Sequence, residues 1–474
     1  MTPTWSAIAA FVLVRLEWAI VVYFLLVNSF YAVLLLSAAW EMLSHARQVR
    51  GASRWRLLGS RLAPTISVLA PAYNESATIG ESVRSLLTLY YPNLEVVVVN
   101  DGSKDQTMEV LREQFALVPI HPIYRRQLET KPVRGLYRSR SHPNLLVVDK
   151  DNGGKADALN TGLQMATGEL VCAMDADSLI EPDALLRLVY PFLKTNEVLA
   201  AGGTIRVVNG SQVRGGRVVE TAVPRQAVAG FQVIEYLRAF LFGRLGWNRL
   251  GGNLIISGAF GLFRREAVIA AGGYAHDTVG EDIELVLRLR RRGCEGRGPR
   301  QVDFIPDPVA WTEAPASLQV LGRQRDRWHR GLADVLWRHH TLLFNPRYGA
   351  LGLVAYPYFF FVELLAPVIE AMGLGGLVAG FTFGAFNVPF AVLFFLVAYG
   401  YGLVLSTFTL VLEELNFNRY DSFRDRLLLL LWAVLEPLGY RQLTVIWRLR
   451  GLIKFMRGRK DWGVMVRRGF GPQG

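Results

Sequence analysis

Apolar residues are spread unevenly along this chain, and their spacing divides it into segments. Trp18 to Trp40 is an apolar run interrupted by Asn28, Ser29 and Ser37, and a helix crossing a hydrocarbon core needs about 20 residues. A cleaved leader would carry an apolar stretch of about 7–15 residues behind positive charge, whereas only Arg15, offset by Glu17, precedes this one. The pattern predicts a membrane anchor over residues 1–45. Next come the short β-branched runs Ile66–Ala70 and Val96–Asn100, with apolar residues at helical spacing from Thr78 to Leu89 between them. Strand, helix, strand in that order predicts a parallel βαβ unit. Further strands are expected at Leu145–Val148 and Leu170–Met174, with a helix between them, and His121–Pro143 reads as a surface insertion. This α/β domain covers residues 60–312.

Beyond Pro308 the periodicity changes. Leu318 to His339 mixes Arg and His with Leu, Val and Trp, as expected of an amphipathic helix lying at a membrane interface, and the interfacial region covers residues 313–346. Apolar segments then recur near 349–373, 386–412 and 427–450, giving a C-terminal membrane region over 347–452 and a basic tail over 453–474. Glu363 and Glu370 fall inside the first segment, and intramembrane carboxylates are costly unless they face a cavity or a partner. The third contains Glu436, Pro437 and Arg441, which fits a kinked or re-entrant helix as well as a full span. A re-entrant segment leaves the tail cytosolic, the side its charge favours.

Composition agrees with this layout. Of 474 residues 51% are hydrophobic and only 19% charged, more apolar than an ordinary soluble protein of this size. The net charge of +12 gathers beside apolar segments, at Arg47, Arg50, Arg54, Arg56 and Arg61, and again at Lys454, Arg457, Arg459 and Lys460. That is the positive-inside pattern, with attraction to anionic headgroups, and it places the domain in the cytosol. No nucleic-acid-reading motif accompanies the charge, so nucleic acid is not an expected partner. Two cysteines, Cys172 and Cys294, exclude a disulfide scaffold.

Candidate chemistry sits where strands should end. Asp101-Gly102-Ser103 follows the second strand, and a carboxylate at the carboxyl edge of a parallel sheet faces the crevice where nucleotides bind; a plain turn is the bland alternative. Asp151-Asn152-Gly153-Gly154-Lys155 opens a helix, where backbone amides and a lysine suit an anion, although the order is not that of a P-loop. Asp175-Ala176-Asp177 ends another strand. Residues two apart in a strand point the same way, and two close carboxylates call for a cation such as Mg2+ or Mn2+. Glu281-Asp282 opens the helical run Ile283–Arg291, where acids also favour the helix dipole. On the interfacial helix, Gln324, Arg327 and Trp328 share a face by their spacing; an aromatic plane beside an amide and a guanidinium suits a sugar ring, and membrane anchoring is the alternative.

Taken in order, Tyr73-Asn74-Glu75, Asp101-Gly102-Ser103, Gly154-Lys155, Asp175-Ala176-Asp177, Glu281-Asp282 and Gln324-Arg325-Asp326-Arg327-Trp328 resemble the processive, membrane-integrated family-2 glycosyltransferases, among them cellulose, chitin, hyaluronan and poly-N-acetylglucosamine synthases. The glutamine-to-tryptophan motif is the most specific element. The resemblance implies a GT-A-like α/β domain inserted between transmembrane helices, and an inverting transfer from a UDP-sugar, N-acetylglucosamine before glucose, to a growing polysaccharide passed across the membrane. It implies that Asp101 and Asp175 hold uridine and ribose, that Pro71, Tyr73 and Glu75 lie at the base, and that Lys155 orients the nucleotide. Asp177 would ligate Mg2+ or Mn2+, Asp282 beside Glu281 would be the general base, and Gln324, Arg327 and Trp328 would bind the acceptor. Ser257-Gly258-Ala259 resembles the acceptor-side loop. Implied partners are the UDP-sugar, the polymer, membrane lipids, and export or regulatory subunits. A single-addition transferase acting on a lipid carrier and an inactive scaffold for export are the competing readings.

Two departures from the family stand out. Gly280 replaces the usual threonine before Glu-Asp, which is expected to loosen that helix start. Trp462-Gly463-Val464-Met465-Val466-Arg467 resembles a gating segment but lacks its threonine and displaces its arginine, so gating by Trp462 and Arg467 is an expectation that requires a cytosolic tail.

Overall fold

The computed structural model describes residues 5–51, 54–60, 62–121, 124–175, 178–382, 384 and 386–459. Twelve strands are described: β1 (Ile66–Ala72), β2 (Leu94–Asp101), β3 (Leu117–Ile120), β4 (Val133–Ser139), β5 (Leu145–Lys150), β6 (Leu170–Met174), β7 (Leu179–Ile180), β8 (Val198–Val207), β9 (Gln212–Arg214), β10 (Arg217–Glu220), β11 (Phe260–Arg264) and β12 (Gln301–Thr312). Ten form one sheet in the order β3-β4-β5-β2-β1-β6-β11-β8-β12-β7, and β9 and β10 pair separately. The centre, β5-β2-β1-β6, is parallel, with Val68 opposite Val96 and Cys172. β11 runs antiparallel to both neighbours.

The parallel strands are apolar along both faces because both are covered. Val68, Val96 and Val98 point to one side, with Ile79 and Leu111. Leu69, Val97 and Val99 point to the other, with Leu159, Leu163 and Leu285. Parallel pairing leaves the carboxyl ends of β1, β2, β5 and β6 together along one edge.

Within His121–Pro143, expected as a surface insertion, lies β4, paired antiparallel with β5 and β3. Only Leu136 and Ser139 are buried along it, and exposed Arg134 and Arg138 share the face of Leu136, so a strand paired on both sides gave no clean alternation and read as a loop. The strand β12 also escaped the sequence reading. Pro306 and Pro308 lie where its register against β8 shifts, the position at which a sheet tolerates proline.

The first helix, Trp5–Gly51, does not end with the apolar run. Its later residues Ala38 and Met42 are buried in the core of the α/β domain, and Ser37 Oγ donates to the Gly246 carbonyl at 2.8 Å. Among the described residues three helices are long and apolar enough to cross a membrane: Val14–Arg47, Leu351–Thr382 and Val388–Asn416. Segment 427–450 forms two shorter helices, Phe423–Leu435 and Tyr440–Met456, separated by Pro437 and by Gly439, whose φ of 85° few other residues adopt. The second of these lies along the helix Leu318–Arg338, with the Lys454 ammonium on the Asp326 carboxylate.

Candidate active site

The loops after β1 and β2 are laced together. Asn74 N–H donates to Ser103 Oγ at 2.9 Å, Lys104 N–H to Asn74 Oδ1 at 2.8 Å, and Glu75 N–H to Thr107 Oγ1 at 2.9 Å. These bonds leave Tyr73 exposed and Pro71 and Glu75 half-buried at the sheet edge. Thr78 Oγ1 donates to Glu75 Oε2 at 2.9 Å, so that carboxylate is anchored to the helix start.

Asp101, expected to face a nucleotide, is turned inward and only 2% exposed. Its Oδ1 accepts from Lys150 Nζ at 2.7 Å and from Gly153 N–H at 3.0 Å, and its Oδ2 from Gly154 N–H at 2.8 Å. A buried carboxylate must be satisfied within the protein, and here that requirement pins the glycine loop to β2. Lys150 itself is fully buried and reaches Asp157 Oδ1 at 2.6 Å. Sequence reading missed Lys150 and Asp157; a lysine closing the apolar run Leu145–Val148 was the available signal.

The pinned loop delivers Lys155 at the start of the helix Lys155–Met165. Its ammonium lies 2.6 Å from Asp175 Oδ1 at the end of β6 and 3.4 Å from Glu281 Oε1. Burial pulls the Lys155 pKa down, but Asp175 and Glu281, with Asp282 behind them, outweigh it and raise the pKa above that of an ordinary lysine. Burial, partly opposed by Lys155, pushes the Glu281 carboxyl above the usual carboxylate range.

Glu281 and Asp282 open the helix Glu281–Cys294. Asp282 Oδ2 accepts from Gly258 N–H at 3.1 Å, and its Oδ1 from Ile283 N–H at 2.8 Å. Lys155, Ser257, Gly258, Tyr274, Glu281 and Asp282 line a single cleft whose residual cavity is about 10 Å³, close to the least that holds one water. Segments far apart in sequence thus meet around one lysine. Tyr274 was not foreseen; nothing local to it marks a site.

The interfacial motif is split by burial. Gln324 is 8% exposed with its Oε1 lacking a partner among the described residues, Arg327 is half-buried, and Trp328 is 42% exposed beneath the Arg325 guanidinium at 4.6 Å. Arg325 and Asp326, for which the spacing suggested no role, are tied to Glu235 and Lys454. None of the motif lines the Lys155–Asp282 cleft. Its helix instead touches the start of the Glu281–Cys294 helix where Gly331 meets Gly280. Asp177, Trp462 and Arg467 lie outside the described residues.

Comparison with known proteins places these features in one group. The glycosyl transferase family 2 model matches residues 67–271, and the glycosyl transferase family group 2 model matches 170–405. Poly-beta-1,6-N-acetyl-D-glucosamine synthase of Staphylococcus aureus (strain COL) is 28% identical over 274 residues, 58% of this chain and 56% of the relative. The synthase of Staphylococcus epidermidis is 29% identical over the same shares. The chain therefore matches little more than half the length of these curated relatives. A mannosyltransferase from Pyrobaculum calidifontis, solved with GDP-Man and Mn2+, superposes with a TM-score of 0.51 at 20% identity, covering 90% of this chain and 99% of that one, and shares the GT-A-like fold. The two family models together run continuously over residues 67–405, from β1 into the apolar helices, enclosing Lys155, Asp175 and Asp282, and the chain belongs to glycosyl transferase family 2.

Proposed function

We propose that the protein is a membrane-embedded, inverting glycosyltransferase that extends a polysaccharide from a UDP-sugar. UDP-N-acetylglucosamine is the first candidate, ahead of UDP-glucose, because the matched relatives carry the name poly-beta-1,6-N-acetyl-D-glucosamine synthase. The single observation that carries the reading is the meeting of Lys155, Asp175, Glu281 and Asp282 around one cleft at the carboxyl edge of the sheet. An inverting transfer needs one base behind the acceptor hydroxyl and positive charge at the leaving diphosphate.

In this reading Asp282 removes the acceptor proton. Its Oδ1 is held by the Ile283 amide, while Oδ2 faces the loop carrying Ser257 and Gly258, where the acceptor hydroxyl would lie. Lys155 orients the diphosphate, and Tyr73 and Glu75 border the base at the laced edge of β1 and β2. Asp101 acts indirectly, by fixing the Gly153-Gly154 amides. Gln324, Arg327 and Trp328 receive the acceptor end of the polymer, and the three apolar helices hold the enzyme in the inner membrane with its domain in the cytosol.

A divalent ion fits the residues present. Asp177, two residues after Asp175 in the sequence, supplies a hard carboxylate oxygen, while Asp175 Oδ1 is already paired with the Lys155 ammonium at 2.6 Å. Among the described residues no three acidic, His or Cys side chains form a cage; Mg2+ or Mn2+ would take Asp177 and complete its shell from the substrate diphosphate. When bound, the ion supplies charge stabilisation to the leaving group.

The test is incorporation of radiolabel from a panel of UDP-sugars by the purified protein with Mg2+ or Mn2+, beside Asp282→Asn. A high-mass product from one donor, reduced by about 10²–10⁴ in the variant, is expected. A lipid-sized product would move the protein to the single-addition class, and no product from any donor would overturn the reading.

A further inference from the structure

A second cavity, of about 270 Å³, shares no lining residue with the donor cleft. It opens where the first helix, beyond its apolar run, meets the helix Leu245–Leu250 and the start of β12. Its size falls just under the usual range for small-molecule sites, about 300–1,000 Å³. The lining carries both signs of charge: Glu41, Asp303 and Asp307 against Arg187, Lys194 and Arg249.

Some of these charges are already committed. Arg187 is held by Asp183 at 2.7 Å and His45 Nε2 lies 2.5 Å from Asp307 Oδ2. Others are less tightly held. Glu41 and Arg249 stand 3.9 Å apart, close enough to attract and too far to hydrogen-bond. Asp303 accepts from Gln301 Nε2 at 2.7 Å, yet burial still pushes its carboxyl above the usual range, a cost that a bound cation relieves. A lone anion in this cavity would meet Glu41 and Asp303, and a lone cation would meet Arg249. A ligand with both charges avoids both repulsions.

The cavity's position narrows the ligand. The Arg249 guanidinium lies 5.3 Å over the ring of Trp40, which is 61% exposed at the end of the apolar run. Tryptophan at such a boundary sits at the headgroup level of a bilayer. We propose that this cavity binds a phosphate-and-amine headgroup of the phosphoethanolamine type, with the phosphate on Arg249 and the amine between Glu41 and Asp303. The headgroup belongs to a membrane phospholipid or to the free phosphoethanolamine. The proposal rests on the reading of the apolar run Trp18–Trp40 as membrane-spanning, and resistance of the protein to carbonate extraction checks that separately.

The experiment is native mass spectrometry of the full chain, purified in mild detergent and offered phosphatidylethanolamine or phosphatidylglycerol, beside thermal shift with soluble O-phosphoethanolamine. Phosphatidylethanolamine should be retained over phosphatidylglycerol by about tenfold or more, and Asp303→Asn and Arg249→Gln should each reduce retention by a similar factor. Unchanged melting temperatures of the variants without lipid would show that they fold. Retention of lipid assigns the site to the bilayer; a thermal shift with O-phosphoethanolamine alone, lost in both variants, assigns it to the free molecule. Equal retention of both lipids, retention unaffected by the variants, or no binding of either form would overturn the proposal.

Discussion

Gly280 and Gly331 meet backbone to backbone: a Cβ on Gly280 would lie 3.3 Å from the Cα and carbonyl carbon of Gly331, and one on Gly331 would lie 3.2 Å from the Cα and N of Gly280. The first glycine precedes the pair Glu281-Asp282, and the second lies on the helix of the Gln324–Trp328 motif. Their contact fixes how closely the start of the Glu281–Cys294 helix approaches the helix Leu318–Arg338. The missing threonine, read from the sequence as a loosened helix start, therefore has a packing reason.

Gly331→Ala places a methyl group against backbone that has little room to yield. The expected cost is about 1–3 kcal/mol of stability, by the usual penalty of overpacking. Transfer should fall several-fold more than donor affinity, because Lys155 and Asp175 are untouched. Calorimetric melting, with kcat and donor KM measured separately, checks this; unchanged kcat would mean the contact does not set the base.

Lys150 is the fully buried cation between Asp101 and Asp157. Lys150→Met leaves two buried carboxylates uncompensated and should destabilise the protein by about 3–5 kcal/mol. Adding Asp101→Asn should recover part of that loss while still freeing the Gly153-Gly154 loop. Melting of the single and double variants reads the first effect, and donor titration the second.

Glu284, 5% exposed one turn along from Glu281, gives the acid limb of the stability curve. Burial would raise its carboxyl, but His339 and Arg288 outweigh that and hold it at about 2, below the ordinary 4.5. The Arg288 Nε–H donates to Glu284 Oε1 at 2.8 Å, and His339 Nε2 lies 3.4 Å from the same atom. A carboxyl lowered on folding stabilises the native state above its unfolded pKa, and that contribution is lost as pH falls from 4.5 towards 2. The shift corresponds to roughly 3 kcal/mol. Glu284→Gln should lower stability at neutral pH and flatten the curve across that window, measured by melting at stepped pH.

Arg441, on the helix Tyr440–Met456, pairs with the buried Glu370 of the apolar helix Ala366–Thr382 at 3.2 Å, and Tyr399 Oη donates to the same carboxylate at 2.9 Å. Arg441→Ala strands that carboxylate and should cost about 3–5 kcal/mol, whereas Arg441→Ala with Glu370→Gln should cost clearly less. Thermal inactivation of the two variants in the same detergent distinguishes them; equal losses would remove the pair as the tether between these helices.

The sequence by itself determined the elements whose residues carry their own signal. Short, largely apolar runs marked β1, β2, β5 and β6, because strands covered on both faces are apolar on both. Apolar length marked the first helix, and the order of Asp101, Lys155, Asp175, Asp282 and Gln324–Trp328 marked the family. Tertiary structure decided what each charge faces. Nothing in local spacing says that Asp101 turns inward to Lys150 while Asp175 turns to Lys155, since each choice depends on which partner the sheet brings beside it. The same holds for β4 and β12, whose charged face and prolines hide them until neighbouring strands supply the pairing. It holds also for Glu370 and Glu436, costly alone and settled by Arg441 and Arg238 from other helices. Periodicity is a property of a segment, whereas the partner of a charge is a property of the fold.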